Sequence, residues 1–404
     1  MKKSSWASKL YALFLATLPL VSIYRLPGTS LALATVLTLV MLLYAVAQVA
    51  TRKRKVSFMI LFPFVLYIGY IMTMSPILFA ILSGAVLIHI FAICTEAVNI
   101  QYLRRVIEFI SVVAAICVIF QQTIHLFTGV HIPFYISNLL TEGTKDSYSW
   151  VLTTGFSDRS NMYRPSAFFL EPSHFTQYCM IGLGSCLFEQ IPNIKKAVLI
   201  SLGILATTSG MGIIAVVAMW TWWGLSNQRS GHRSIFGLRV FGVFLFLVLS
   251  YFVLDNISVT HNAMARFTTD SGAETNAISG RLFWWDTYFG NFDLIDFLRG
   301  YGLESLPDEQ YFTGFMKQLY CYGVIGVSLL LLFLIILISI SDNLGKGCCA
   351  LYTGLLFFSE LTGYHNLLFF IGILLTFYVN KEVQRRLSLR KKKLVSPAVI
   401  TPEK

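Results

Sequence analysis

Three residues of this chain have types and spacing suited to chemistry: Arg164, Glu171 and His174, within the stretch Met162 to Met180. They fall within about three helical turns of one another, where a polar loop becomes a membrane-length apolar run. Pro172 suits a first helical position and disfavours the α region for Glu171, so the spacing predicts a helix starting at Pro172 with Glu171 at its cap. Glu171, His174 and Tyr178 then share one face at i, i+3 and i+7. A partly desolvated carboxylate there could take a proton from an attacking hydroxyl, with His174 as the competing candidate. Arg164, Arg266, Arg281 and Arg299 all stand in segments otherwise poor in positive charge. Two or three of them converging beside the helix start would bind a phosphate or pyrophosphate, because guanidinium forks bind phosphate bidentately and the helix end adds free N–H groups. The plainer alternative is a capping carboxylate, with Arg164 and Glu171 paired to each other or to neighbours.

The elements that must position these residues are apolar helices. The 404 residues are 56% hydrophobic and 13% charged, with a mean hydropathy of +0.68. Soluble domains carry about 25% charged residues, so the composition predicts an all-α polytopic membrane protein. The net charge of +11 is spread over short segments flanking apolar runs, a pattern that argues for membrane topology and against nucleic acid. The seven cysteines fall in or beside apolar runs without a Cys-x-x-Cys pair and read as small core residues. No metal-ligand spacing and no phosphate-binding Gly-rich loop is present, so the sequence calls for no metal or cofactor.

Apolar runs lie near residues 8–24, 30–50, 57–73, 76–95, 106–127, 172–190, 197–208, 211–226, 235–254, 313–340, 348–360 and 364–380. That makes about twelve spans in a single membrane domain over 1–404. The first run reads as an anchor, not a cleaved signal. One set of connections holds about 23 of the 31 basic and about 6 of the 20 acidic residues, which makes that side, both termini and a basic tail at 381–404 cytoplasmic. The tail reads as solvated or resting on anionic lipid. The opposite side holds the two long loops, about 128–171 and 255–312, and long loops between spans usually carry function. In the second loop Ser279 precedes an aromatic run with Trp284, Trp285, Tyr288 and Phe289. It reads as a helix lying in the interface, its rings an aromatic belt before a sugar platform.

The segment Arg164-Pro-Ser-Ala-Phe-Phe-Leu-Glu171-Pro172-Ser-His174 resembles the signature of Wzy-type bacterial polysaccharide polymerases, in the O-antigen ligase and polymerase superfamily. Ser279-Gly280-Arg281 with Trp285, Gly300-Tyr301-Gly302 and Tyr322-Gly323-Val324-Ile325-Gly326 are similar in order and spacing to the segments from the second loop onward in that family. The resemblance implies a metal-independent glycosyltransferase of the bacterial plasma membrane. It would move a growing glycan from undecaprenyl pyrophosphate onto an incoming lipid-linked repeat unit at the outer face. It implies Glu171, His174 and Arg281 as catalytic residues, and Arg164, Arg266, Arg281, Tyr301 and Gly302 as substrate-binding residues. Implied partners are the lipid-linked oligosaccharide, membrane lipid, and a chain-length regulator and flippase of the same pathway. Related ligases carry a catalytic His near the C-terminal end of the second loop. This chain has only His261 there, far from that position, which favours polymerase over ligase. A lipid-linked oligosaccharide flippase is the competing class, but a transporter should line its spans with charge, and these spans are nearly free of it.

The charge count makes a topology prediction. Reporters fused after Lys55, Lys196 and Lys393 are expected to read as cytoplasmic, and those near Gly143 and Ala273 as exterior; an exterior signal at Lys196 would overturn the placement of Glu171.

Overall fold

The computed structural model describes residues 5–29, 31–52, 56–95, 97–130, 132–141, 164–189, 191–207, 209–226, 242, 289–290, 292–307, 312–357 and 359–395. Among them the chain is helical, with only isolated β-bridges at Tyr24–Leu140 and Arg25–Ala32. The helices are α1 (Trp6–Val21), α2 (Leu33–Thr51), α3 (Phe58–Thr73), α4 (Ile77–Ile93), α5 (Ile100–Thr128) and α6 (Pro172–Leu187). They are followed by α7 (Ile194–Ala206), α8 (Gly210–Ser226), α9 (Leu294–Arg299), α10 (Gly314–Ile340), α11 (Asn343–Leu356) and α12 (Tyr364–Val395). Of these, α2 and α10 are long and apolar enough to cross a membrane. The expected run at 235–254 lies, but for residue 242, outside the described residues.

Side-chain caps set many of the helix starts. Ser5, Asn99, Asn193, Thr313 and Asp342 each accept an N–H from the first turn of α1, α5, α7, α10 and α11. The core forms where α6 is enclosed by α5, α7, α8 and α11. Every α6 residue from Phe175 to Leu187 is buried. The helix packs that closely because its glycines admit neighbours: a Cβ at Gly182 would collide with Ser111 Oγ.

The two ends of the bundle differ in charge. Lys9, Arg52, Arg104, Arg105, Lys195, Lys196, Lys346 and Lys381 gather where α1, α5, α7 and α11 begin and α2, α10 and the apolar part of α12 end. There Lys196 meets the buried Glu108 at 3.3 Å, and Arg104 donates to the Ser185 carbonyl at 3.1 Å. The Lys381 ammonium caps α10 by donating to the Ile340 carbonyl at 2.5 Å. The tail expected from residue 381 is helical as far as Val395, since Lys, Arg, Leu and Gln sustain a helix and no Gly or Pro interrupts it before Pro397. At the opposite end the connections tie to one another. Arg25 N–H donates to the Leu139 carbonyl at 2.7 Å, Leu303 N–H to Met74 at 3.0 Å, and Gly314 N–H to Ser359 at 2.9 Å. The entry to α6 lies at this end.

The expected span at 313–340 is not one continuous helix. Gly323 sits at φ 58°, ψ −168°, and breaks α10. The released carbonyls are met by the second-loop segment: Tyr301 N–H donates to the Tyr320 carbonyl and Gly302 N–H to the Cys321 carbonyl, both at 2.9 Å. Gly300 and Gly302 have positive φ as well. A Cβ at Gly300 would stand 2.5 Å from the Cys321–Tyr322 peptide, and one at Gly323 would collide with the Leu298 carbonyl. Gly300-Tyr301-Gly302 and Tyr322-Gly323 are thus the two faces of one backbone junction. Tyr70 closes it by donating to the Arg299 carbonyl at 2.8 Å.

Gly323→Ala is therefore expected to strip most of the protein from the membrane fraction, because a Cβ meets backbone that cannot yield and φ is unfavourable. Gly224→Ala, where a Cβ meets nothing within 4 Å, should accumulate normally. Equal accumulation of the two variants, compared by immunoblot and thermal unfolding in detergent, would refute this account of the junction.

Candidate functional site

The loop before α6 is buried, and its backbone is held by a side chain from another helix. Gln121 of α5 accepts the Ala167 N–H at 2.8 Å, while its amide donates to the Ile132 carbonyl at 2.6 Å and the Ala167 carbonyl at 3.5 Å. Ala167 has φ 53°, a conformation that L-residues adopt only under constraint. Ser166 Oγ donates to the Phe169 carbonyl at 2.7 Å, and Phe169 N–H returns a bond to the Ser166 carbonyl at 3.0 Å. Phe169 then packs on Phe175 and Tyr178. This fixes the direction in which the chain enters α6.

Glu171 occupies the cap position expected for it, extended at φ −130°, ψ 152°, with Pro172 opening the helix. Its side chain makes no capping hydrogen bond. The half-buried carboxylate instead accepts from Ser173 Oγ at 2.7 Å. A capping role therefore does not explain this carboxylate. Arg164, also half-buried, stands at the start of the same loop.

The face shared by Glu171, His174 and Tyr178 divides by depth. Tyr178 is fully buried, its hydroxyl donates to the Ala16 carbonyl at 2.9 Å, and its ring stacks on Phe369 of α12 at 5.3 Å. One turn toward the helix starts, that stacked pair is replaced by His174 and His365. Their rings interact electrostatically, and His365 also feels Glu360 and Lys317. Lys317 and Glu360 form an ion pair at 2.5 Å. Thr176 Oγ1 and Gln177 Nε2, buried just below His174, have no hydrogen-bond partner among the described residues. His365, Glu360 and Gln121 form part of this neighbourhood although the sequence did not single them out. Gln121 reads as an ordinary polar residue within a span, and the histidine lies almost two hundred positions beyond His174.

The second-loop residues fare differently. Arg266 and Arg281 lie outside the described residues, as do Ser279, Trp284 and Trp285. Arg299 is exposed at the end of α9, its Nε 3.5 Å from Met74 Sδ. Gly302 is buried with its N–H already spent on Cys321, so its contribution is the junction with α10, not a donor for substrate. Tyr301 is partly exposed in a cluster of rings with Phe292 at 4.6 Å and Tyr320 at 5.4 Å. Its phenol is raised from its ordinary value by desolvation and by a hydrogen bond to Asp296.

The chain matches no protein-family model and no curated protein. The site stands on its own geometry: a carboxylate and an imidazole at one helix start, held by a strained loop whose Ser166 and Ala167 are hydrogen-bonded.

Gln121→Leu leaves the Ala167 peptide and the Ile132 carbonyl without their partner, and should lower stability by about 1–3 kcal/mol. Ala167→Gly should be tolerated, whereas Ala167→Val should cost about 1–3 kcal/mol at this φ. Thermal unfolding of the purified variants ranks them; Val as stable as Gly at 167 would refute the strained conformation.

Proposed function

We propose that this chain is a membrane-embedded glycosyltransferase of about twelve spans with both termini cytoplasmic, which polymerises lipid-linked glycan repeat units at the outer face of a bacterial plasma membrane. The observation that carries this reading is the Glu171 carboxylate. It is half-buried, at the end of the locked loop that begins at Arg164, one turn from His174, and not engaged as a cap. Supporting it, most of the described basic residues gather at the opposite end of the bundle, and large apolar side chains such as Leu43, Met59, Ile77 and Ile335 stand more than half exposed, as an apolar solvent requires. The motif-bearing segments around Gly300 and Gly323 meet in one junction on the same end as Glu171.

In the proposed reaction an acceptor sugar hydroxyl attacks the anomeric carbon of the donor glycan. The new C–O bond forms as the bond from that carbon to the pyrophosphate oxygen breaks. The hydroxyl proton passes to Glu171, or to His174, and the electron pair leaves with the polyprenyl pyrophosphate. Arg164 and Arg281 would take up the charge of that leaving group. Among the described helices the charged groups stand near the ends, as Glu108 and Lys317 do, which speaks for surface chemistry over a charged transport path.

Purified protein given synthetic lipid-linked repeat units should produce a ladder of longer glycans. Glu171→Gln is expected to accumulate normally, since no cap bond is lost, yet to slow elongation about a hundredfold to ten-thousandfold. Glu171→Asp should be impaired but measurable. His174→Ala is measured beside them, and a larger loss there moves the base one turn along α6. Near-normal polymerisation by Glu171→Gln would remove the carboxylate from the mechanism.

A further inference from the structure

A second polar feature opens at the same end of the bundle. A narrow cleft with about 50 Å³ of free space inside and an open mouth lies between α3, α4, α10 and the start of α12. Its walls are mostly apolar, with Ile68, Ile71, Val86 and Leu367 beside Ser75, Ser83 and Tyr322, and with Phe79, 43% exposed, opening it toward the surface. Its mouth is not apolar. Lys317 lines it, with a side chain only 19% exposed. Gln318 is buried there, its carbonyl oxygen taken by the Tyr67 hydroxyl at 2.7 Å, which leaves its amide hydrogens for another acceptor. Thr362 is 8% exposed, and its hydroxyl has no hydrogen-bond partner among the described residues. Buried hydroxyls are rarely left without a partner, so this one marks a place where a partner belongs.

These groups share a preference. An ammonium, an amide N–H and a free hydroxyl converge above an apolar trough, the arrangement that suits an anionic head on a hydrocarbon chain. The acidic partner of Lys317 is placed to yield. Glu360 is not among the lining residues and is 44% exposed, so it can turn to water when another anion takes its place. Glu360 holds the ammonium while the cleft is empty, sparing it an uncompensated position. The mouth also adjoins the candidate site: Gly363 lines the cleft and stands against the His365 ring, and His365 lies one turn before Phe369, which stacks on Tyr178 one turn below His174.

We propose that this cleft binds the phosphate and first hydrocarbon units of a polyprenyl phosphate lipid, with Lys317, Gln318 and Thr362 on the phosphate. Resting on the glycosyltransferase reading, it is the seat of the second lipid-linked substrate, whose sugar then reaches toward Glu171 and His174. A transfer between two lipid-linked molecules needs two lipid sites, and under that reading the Arg164 loop would serve the other.

The test uses full-length protein in nanodiscs and a polyprenyl monophosphate, which carries no sugar and cannot be turned over, with binding read by native mass spectrometry. Lys317→Gln is expected to weaken binding about tenfold to a hundredfold. Glu360→Gln is expected to tighten it by up to about fivefold, because the competing carboxylate is gone. A purely structural ion pair would not give opposite signs for the two variants, and loss of binding in both would overturn the proposal. Phe79→Ser, at the exposed lip of the trough, should weaken binding severalfold while the protein unfolds at its usual temperature. Equal affinity for the corresponding polyprenol would show a mere hydrocarbon groove, and displacement by millimolar inorganic phosphate would show a free-phosphate site; either refutes a lipid-phosphate site. Turnover separates this idea from the one it rests on. Binding with the expected signs but no glycan ladder leaves the cleft and removes the polymerase. A ladder with unchanged acceptor KM in Lys317→Gln keeps the polymerase and removes the cleft.

Discussion

Backbone that is buried but not helical has to find hydrogen bonds outside its own segment, and this requirement organises the end of the bundle that carries the candidate site. It is met twice, by different means. At residues 166–167 a side chain supplies the missing partners, Gln121 giving and accepting at the same peptide neighbourhood. At residues 300–302 backbone answers backbone, since the break at Gly323 frees carbonyls of α10 that Tyr301 and Gly302 then satisfy. Without the first, the entry to α6 is not fixed; without the second, the second loop has no seat.

Both devices serve position over stability. Ala167 in a left-handed conformation and three glycines at positive φ would be costly choices for a chain that needed only to fold. What they achieve is a rigid rim on which few polar groups can stand. Below that rim the face of α6 that carries Glu171 and His174 closes into aromatic packing, with Tyr178 stacked on Phe369 and its hydroxyl spent on the Ala16 carbonyl. The ion pair of Lys317 with Glu360 stands at that end as well, and Gly363 and His365 bring the cleft mouth toward His174.

The glycine motifs change meaning when seen in place. As a sequence pattern, Gly300-Tyr301-Gly302 suggests close approach to a ligand, and the resemblance assigns Tyr301 and Gly302 to substrate. Gly302 instead approaches the carbonyls of Met74 and Cys321, and only Tyr301 remains with a face to offer. Both readings need a residue without a side chain, and backbone geometry alone separates them.

Much was legible in the sequence by itself. Apolar runs of span length, Pro172 with the residue before it, and the gathering of Lys and Arg in alternate connections determine helices, a helix start and two unlike ends, because each depends on local spacing or composition. The helix at Pro172, the extended Glu171 and the buried cysteines are consequences of that. Two of the shorter helices, α7 and α11, begin earlier than their apolar runs, since caps at Asn193 and Asp342 set the start and hydropathy does not see caps. Only the tertiary structure decided that the Glu171 carboxylate makes no cap bond, that Gln121 holds the loop, that α10 breaks to receive Gly302, and that His365 stands one turn above the stack of Tyr178 and Phe369. The last three join residues tens to hundreds of positions apart, and a hydrogen bond or a ring contact has no period along the chain by which it could be read.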